Sequence, residues 1–181
     1  MDLIQGQNTK LQSRFFELEI SSVNPPDINF CAILLHENRL IPSANEIAQR
    51  HWCNYPDIFE FESETVMTVD LDNIDFNNVE KILVCADLSL DKDRRADQVG
   101  NIQLTLHDKE KVSFTFESAG RNERAIILGE IYRHKEAWKF RALGAGFMEG
   151  MTALLRSFSS ESIHTEYVNR SKPANQPVGT N

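Results

Sequence analysis

The sequence predicts a mainly β protein, a two-sheet antiparallel β-sandwich with a short C-terminal helix. Three observations carry that expectation. Apolar and polar residues alternate with period two in several short segments. Two continuous apolar runs have the length of strands covered on both faces. Helical spacing appears only after Gly146. Many short strands separated by turn signals pack as two sheets.

Residues 1–11 are polar and are expected to form a flexible arm ahead of a single domain over residues 12–160. Phe16, Leu18 and Ile20 alternate with Glu17 and Glu19, which predicts a half-buried strand. Asn24-Pro25-Pro26-Asp27 marks a turn or an extended corner. Residues 30–35 and 81–88 are the two continuous apolar runs. Met67, Val69 and Leu71 alternate with Thr68 and Asp70. Ile102, Leu104 and Leu106, then Val112, Phe114 and Phe116, flank the polar turn His107-Asp108-Lys109-Glu110 and predict a hairpin. A second hairpin is expected between residues 125–133 and 138–143, with its turn at His134 to Glu136. Phe147, Met151, Leu154, Leu155 and Phe158 then follow i, i+4, i+7, i+8, i+11, so a short amphipathic helix is expected to cover one end of the fold. Residues 161–181 are polar, carry Pro173 and Pro177, and are expected to be disordered.

Composition narrows the function classes. The chain has 181 residues, with 41% hydrophobic and 25% charged, enough to build a core without disulfides. A net charge of -8 argues against nucleic acid as a partner, because an acidic surface repels phosphate. Phe114, Phe116, Trp138 and Phe140 lie at period two among apolar residues, so core packing is favoured over base stacking. Cys31, Cys53 and Cys85 are odd in number and widely spaced, which is no disulfide framework and suits a reducing compartment. Cys31 and Cys85 lie inside the apolar runs and are expected to be buried thiols; Cys53 is expected to be the most reactive. The N-terminus lacks the basic and apolar regions of a signal peptide, and no apolar run approaches the roughly 20 residues of a membrane span. A cytoplasmic location is the expectation, with no integral membrane segment.

Specific motifs point further. Gly129-Glu130-Ile131-Tyr132-Arg133-His134, a short turn, Trp138-Lys139-Phe140-Arg141-Ala142, then Gly144-Ala145-Gly146-Phe147, resembles the C-terminal signature of TerD-family proteins. Asp27-Ile28-Asn29-Phe30-Cys31-Ala32 resembles that family's D-L-D-A-S-A strand, with Asn29 where the second acid stands. Thr68-Val69-Asp70-Leu71 resembles its V-D-L segment. The resemblance covers roughly residues 14–158. It implies a β-sandwich with a C-terminal helix, a role in tellurite and general chemical-stress resistance, other stress-response proteins as partners, and calcium binding.

The family's calcium loop is glycine-rich, whereas residues 51–64 here contain no glycine. Calcium needs six to eight oxygens and a chain that bends sharply around it, which glycine makes easy. Calcium is therefore expected to bind weakly or not at all. Asp27, Asn29, Glu60, Glu62, Glu64 and Asp70 are the candidate metal ligands, set against a solvated acidic strand face as the plain alternative. Asp87, Asp91, Asp93 and Asp97 are interleaved with cations and read as a polar loop. His51-Trp52-Cys53 offers half a soft-metal site or a reactive thiol without an evident second half. In the second hairpin, Lys139 and Arg141 share the face opposite Trp138 and Phe140. That face is either an ordinary wet surface or a docking surface for an acidic partner or anionic lipid, as in peripheral membrane association. The resulting expectation is a non-enzymatic stress-response scaffold or interaction module. A functional Ca²⁺-binding protein and a thiol-based tellurite or peroxide handler are the alternatives.

Overall fold

The computed structural model describes residues 1–23, 28–40, 47–50, 53, 55–75, 77–89 and 93–158. In chain order the elements are β1 (Asp2–Leu3), β2 (Asn8–Lys10), β3 (Phe15–Ser21), β4 (Asn29–His36), β5 (Arg39–Leu40), β6 (Ile47–Gln49), β7 (Phe59–Phe61) and β8 (Val66–Asp70). They continue with β9 (Lys81–Asp87), α1 (Ala96–Val99), β10 (Ile102–His107), β11 (Lys111–Phe116), β12 (Ala125–His134), β13 (Ala137–Phe147) and α2 (Met151–Phe158). One sheet has the order β1-β11-β10-β3-β8-β7; the other runs β2-β13-β12-β9-β4-β5, with β6 also pairing β4. The β-sandwich with a short C-terminal helix is thus the observed architecture.

Alternation decides which side chains enter the core. In β3, Phe16, Leu18 and Ile20 are buried while Glu17 and Glu19 are half-buried on the outer face. The first hairpin forms as β10 and β11, with Leu104 opposite Phe114. The second forms as β12 and β13, with His134 opposite Ala137, so Lys135 and Glu136 make a two-residue turn. Lys135 takes a φ of 55°, the left-handed conformation such tight turns require. A bulge between Ile127 and Gly129 changes the phase of β12. Ile126, Leu128 and Ile131 consequently all reach the inter-sheet core, while Ala125 and Ile127 face outward beneath α2.

The two continuous apolar runs become the neighbouring strands β4 and β9. Phe30, Ala32 and Leu34, with Ile82, Val84 and Ala86, fill the space between the sheets. Cys31, Ile33 and Leu35, with Leu83 and Cys85, face the other way and are sealed by Met151, Leu154 and Leu155 of α2. Both strands are buried on both faces because a helix covers what would otherwise be the wet side of the sheet.

Several expectations change here. The first eleven residues are not a loose arm. Strand β1 runs parallel to β11 in one sheet and β2 runs antiparallel to β13 in the other. Leu3 and Leu11 are 7% and 5% exposed, and the terminal ammonium donates to Lys111 O at 2.7 Å. Backbone pairing holds this segment, and backbone pairing leaves no mark in side-chain polarity. The helix begins at Met151, after Gly150 at φ 84°, so Phe147 ends β13. It lies over a sheet face and does not cap an end of the sandwich. Leu71 opens a 3-10 turn and is not part of β8. The expected polar loop around Asp87 is split: Asp87 ends β9 at 1% exposure, Asp97 lies in α1, and Asp91 falls outside the described residues. Residues 159–181, including the expected disordered tail, also lie outside them. Among the described residues, no helix is long and apolar enough to cross a membrane.

Candidate functional site

The acids singled out in the sequence are dispersed. Asn29 sits in β4 and donates through Nδ2 to Gln49 Oε1 at 2.6 Å. Glu60, Glu62, Glu64 and Asp70 belong to the other sheet and the turn between β7 and β8. Glu64 pairs with Arg50 at 2.6 Å. Asp70 caps the 3-10 turn, accepting from the Asp72 amide at 3.0 Å and from Asn73 Nδ2 at 3.2 Å. Asp27 lies outside the described residues. Among the described residues, no three of Glu60, Glu62, Glu64 and Asp70 bring ligand atoms within 4.8 Å of one another.

A different trio does. Strands β3 and β10 are antiparallel neighbours, with Glu17 opposite His107 and Glu19 opposite Thr105. Alternation turns both carboxylates and the imidazole to the outer face of the sheet. His107 Nε2 lies 3.0 Å from Glu19 Oε2 and 3.8 Å from Glu17 Oε1. All three side chains are part-exposed, at 37% for His107, 38% for Glu17 and 45% for Glu19. Two carboxylates and an imidazole offer three ligand atoms to a divalent cation, with water able to supply the rest from the open side. An imidazole favours transition ions over calcium, which takes an all-oxygen shell. Each member is visible in the sequence as a polar residue on a strand. The 88-residue separation of Glu19 and His107 is what hides the cluster.

The signature residues are joined on the outer face of the second sheet. Glu130 is 6% exposed and is held by Lys81 at 3.1 Å and Arg141 at 3.2 Å. Arg141 also donates to the Tyr132 hydroxyl at 3.1 Å and lies 4.8 Å over its ring. Trp138 and Phe140 point inward, at 5% and 1% exposure, opposite Lys139 and Arg141 as the alternation required. Of the hairpin cations, Arg141 is bound to Glu130, and Arg133 lies 3.4 Å from Glu136. Those ion pairs leave less charge for an acidic partner than the sequence alone suggests.

A cleft of about 540 Å³ opens between the edge strand β1 and the ends of β10 and β11. Ser113, Thr115, Gln103 and Arg121 are among the residues lining it. The Ser113 hydroxyl donates to Asp2, and no histidine is among the described residues around it. Arg121 stacks 4.6 Å from the Phe116 ring and pairs with Glu123 at 2.6 Å. That guanidinium holds the Glu123 carboxyl below the usual carboxylate range.

Cys31 and Cys85 are buried, as expected, and Cys53 is the accessible one. Cys53 nevertheless packs against the core, with Sγ 3.9 Å from the Phe59 carbonyl, and burial pushes its thiol pKa up. A raised pKa lowers the thiolate fraction that any nucleophilic role requires. His51 and Trp52 lie outside the described residues.

Comparison with known proteins agrees with this architecture. The TerD domain family model matches residues 59–158. The chain is 56% identical over 36 residues to chemical-damaging agent resistance protein B of Clostridium acetobutylicum, covering 20% of this chain and 26% of that protein. It is 44% identical over 36 residues to tellurium resistance protein TerD of Alcaligenes sp, covering 20% of this chain and 19% of that protein. These alignments span about a quarter or less of the curated relatives' length. A crystal structure of a telluride resistance protein (TerD) homologue from Streptomyces coelicolor A3(2) superposes with a TM-score of 0.58 at 14% identity. It covers 78% of this chain and 95% of that one, a likeness of fold. With the family model covering more than half of its length, the chain belongs to the TerD domain family.

Proposed function

We propose that this protein is a non-enzymatic module of a cytoplasmic response to tellurium and other chemical damage, acting by binding other stress-response proteins. The observation that carries the reading is how the signature residues are used. Glu130, Tyr132 and Arg141 bond to one another and to Lys81 across neighbouring strands, away from the cleft lined by Ser113 and Arg121. They brace a sheet, which suits a scaffold better than a reaction centre. The raised pKa of Cys53 also weighs against that thiol as the nucleophile of a tellurite or peroxide handler. Survival of cells challenged with tellurite or peroxide tests the proposal. Protection by the wild-type chain is expected to persist in Cys53→Ala. Protection that vanishes with that substitution moves the function to the thiol.

A second reading concerns cations, and the Glu17, Glu19 and His107 distances favour it. We infer that calcium binds weakly or not at all through Asp27, Asn29, Glu60, Glu62, Glu64 and Asp70, while the Glu17-Glu19-His107 trio takes a transition ion. Calorimetry of the chelator-stripped protein with Ca²⁺, Mg²⁺ and Zn²⁺ separates the two. Zn²⁺ heat lost in His107→Ala supports the trio. A large thermal upshift at micromolar Ca²⁺, abolished by Glu64→Ala, overturns the calcium inference.

A further inference from the structure

Two thiols that sequence reading treats as separate core residues are directly opposed. Cys31 of β4 and Cys85 of β9 are register partners on adjacent antiparallel strands. Both face the same side of the sheet and belong to the same cluster beneath α2. Opposed residues in antiparallel strands have Cα atoms about 4.5–5.5 Å apart, inside the separation a disulfide accepts. Hydrogen bonding to Cys85, together with burial and the nearby Asp87 charge, raises the Cys31 thiol well above its usual value. The thiols therefore interact, and Cys31 stays protonated while covered. Their exposures are 1% and 0%.

Among the described residues, the helix that shares this cluster is one short element. Met151, Leu154 and Leu155 of α2 close over the pair. The helix starts directly after Gly150, whose φ of 84° suits glycine far better than any other residue. A Cβ there would stand 2.8 Å from Ser89 Oγ, so the turn rests against the segment that follows β9. Among the described residues α2 pairs with no strand, so lifting it removes part of this cover without breaking any pairing in either sheet.

We propose that Cys31 and Cys85 are an oxidative modification site, a cross-strand dithiol that two-electron oxidants such as hydroperoxides convert to a disulfide when α2 opens. One thiolate attacks the peroxide, the O–O bond breaks, and the alkoxide leaves as alcohol after taking a proton. The sulfenic acid formed is attacked by the second thiol, the S–O bond breaks, and water leaves. Two thiols lose two electrons and two protons, and the peroxide is reduced to alcohol and water. Cys53 takes no part, because it lies on the other side of the sheet against the inter-sheet core.

The experiment treats the full-length folded protein with tert-butyl hydroperoxide, or with diamide as a second two-electron oxidant. Free thiols are counted over time and the cross-linked peptides mapped by mass spectrometry. The expected result is loss of two thiols, a Cys31–Cys85 linked peptide, reversal by a reductant, and the same outcome in Cys53→Ala. Cys31→Ala and Cys85→Ala each abolish the intramolecular link. Leu154→Ala loosens α2 and accelerates cross-linking at least about tenfold, since a covered group reacts through its open state. Thiol loss confined to Cys53, or a link between Cys53 and either partner, overturns the proposal. So does a rate unchanged in Leu154→Ala and Met151→Ala, for the gating by α2.

Discussion

Gly129 tests whether the signature glycine is a steric requirement. A Cβ at this position would stand 2.5 Å from Cε2 and Cζ of Phe140 and 2.8 Å from the Arg141 carbonyl oxygen. Ordinary contacts begin near 3.4 Å, so the overlap approaches an ångström at Phe140 and is smaller at the Arg141 carbonyl. Neither neighbour can give easily. Phe140 is 1% exposed, and the Arg141 carbonyl belongs to the strand paired with β12. Overpacking a tight core costs about 1–3 kcal/mol, and two rigid obstacles place Gly129→Ala near the upper end. Reduced freedom of the unfolded chain offsets about 0.4–1 kcal/mol. A net loss of roughly 2–3 kcal/mol follows, read as a lower urea midpoint at unchanged slope. Phe140→Leu removes the ring atoms that meet the new methyl. In a double-mutant cycle the pair is expected to cost at least about 1 kcal/mol less than the sum of the single changes. Additive losses, or a Gly129→Ala midpoint equal to wild type, refute the steric argument.

Further outcomes follow from the same contacts. Glu130→Ala leaves Lys81 and Arg141 without their shared carboxylate and is expected to cost about 2 kcal/mol, below the value for a fully buried pair because both cations reach water; urea unfolding measures it. Arg121 depresses the folded-state pKa of Glu123, so the stabilisation is present above the unfolded carboxylate pKa and is lost as pH falls through the lower folded value. Unfolding midpoints across the acid range are expected to fall less steeply in Glu123→Gln than in wild type. Removing residues 1–11 strips two edge strands and the buried Leu3 and Leu11, with an expected loss of about 2–4 kcal/mol. An unchanged melting temperature would restore the loose-arm view.

The sandwich was legible because alternation is a local property. Phe16, Leu18 and Ile20 announce a core-facing strand whatever strand pairs with it, and the two hairpins carry their turns between their own arms. Strands β1 and β2 carry no such pattern, since their place is fixed by backbone bonds to β11 and β13. The runs in β4 and β9 signalled burial on both faces without saying what supplied it. A second sheet covers one face and α2 the other, and a period-two count cannot distinguish them.

Sites depend on register, and register is where local reading ends. Glu17 meets His107, and Cys31 meets Cys85, only because β3 pairs β10 and β4 pairs β9 in one particular alignment. A slip of one residue in either strand would turn its whole side-chain set to the opposite face. In β4 that slip would exchange Phe30, Ala32 and Leu34 for Cys31, Ile33 and Leu35 against the inter-sheet core, and misfit both clusters at once. The two-residue turn at Glu37 and Asn38, with φ of 50° and 57°, fixes β5 against β4, and Lys81 reaches it through Nζ to Asn38 Oδ1 at 3.1 Å. That bond ties the start of β9 to the same turn. The opposition of the two thiols is thus held by core packing along the strand pair, with a polar contact at its far end. Asn38→Ala, which removes the tie, is expected to slow oxidative cross-linking of Cys31 to Cys85 while leaving Cys53 alkylation unchanged. Cross-linking at the wild-type rate would show that core packing alone holds the register.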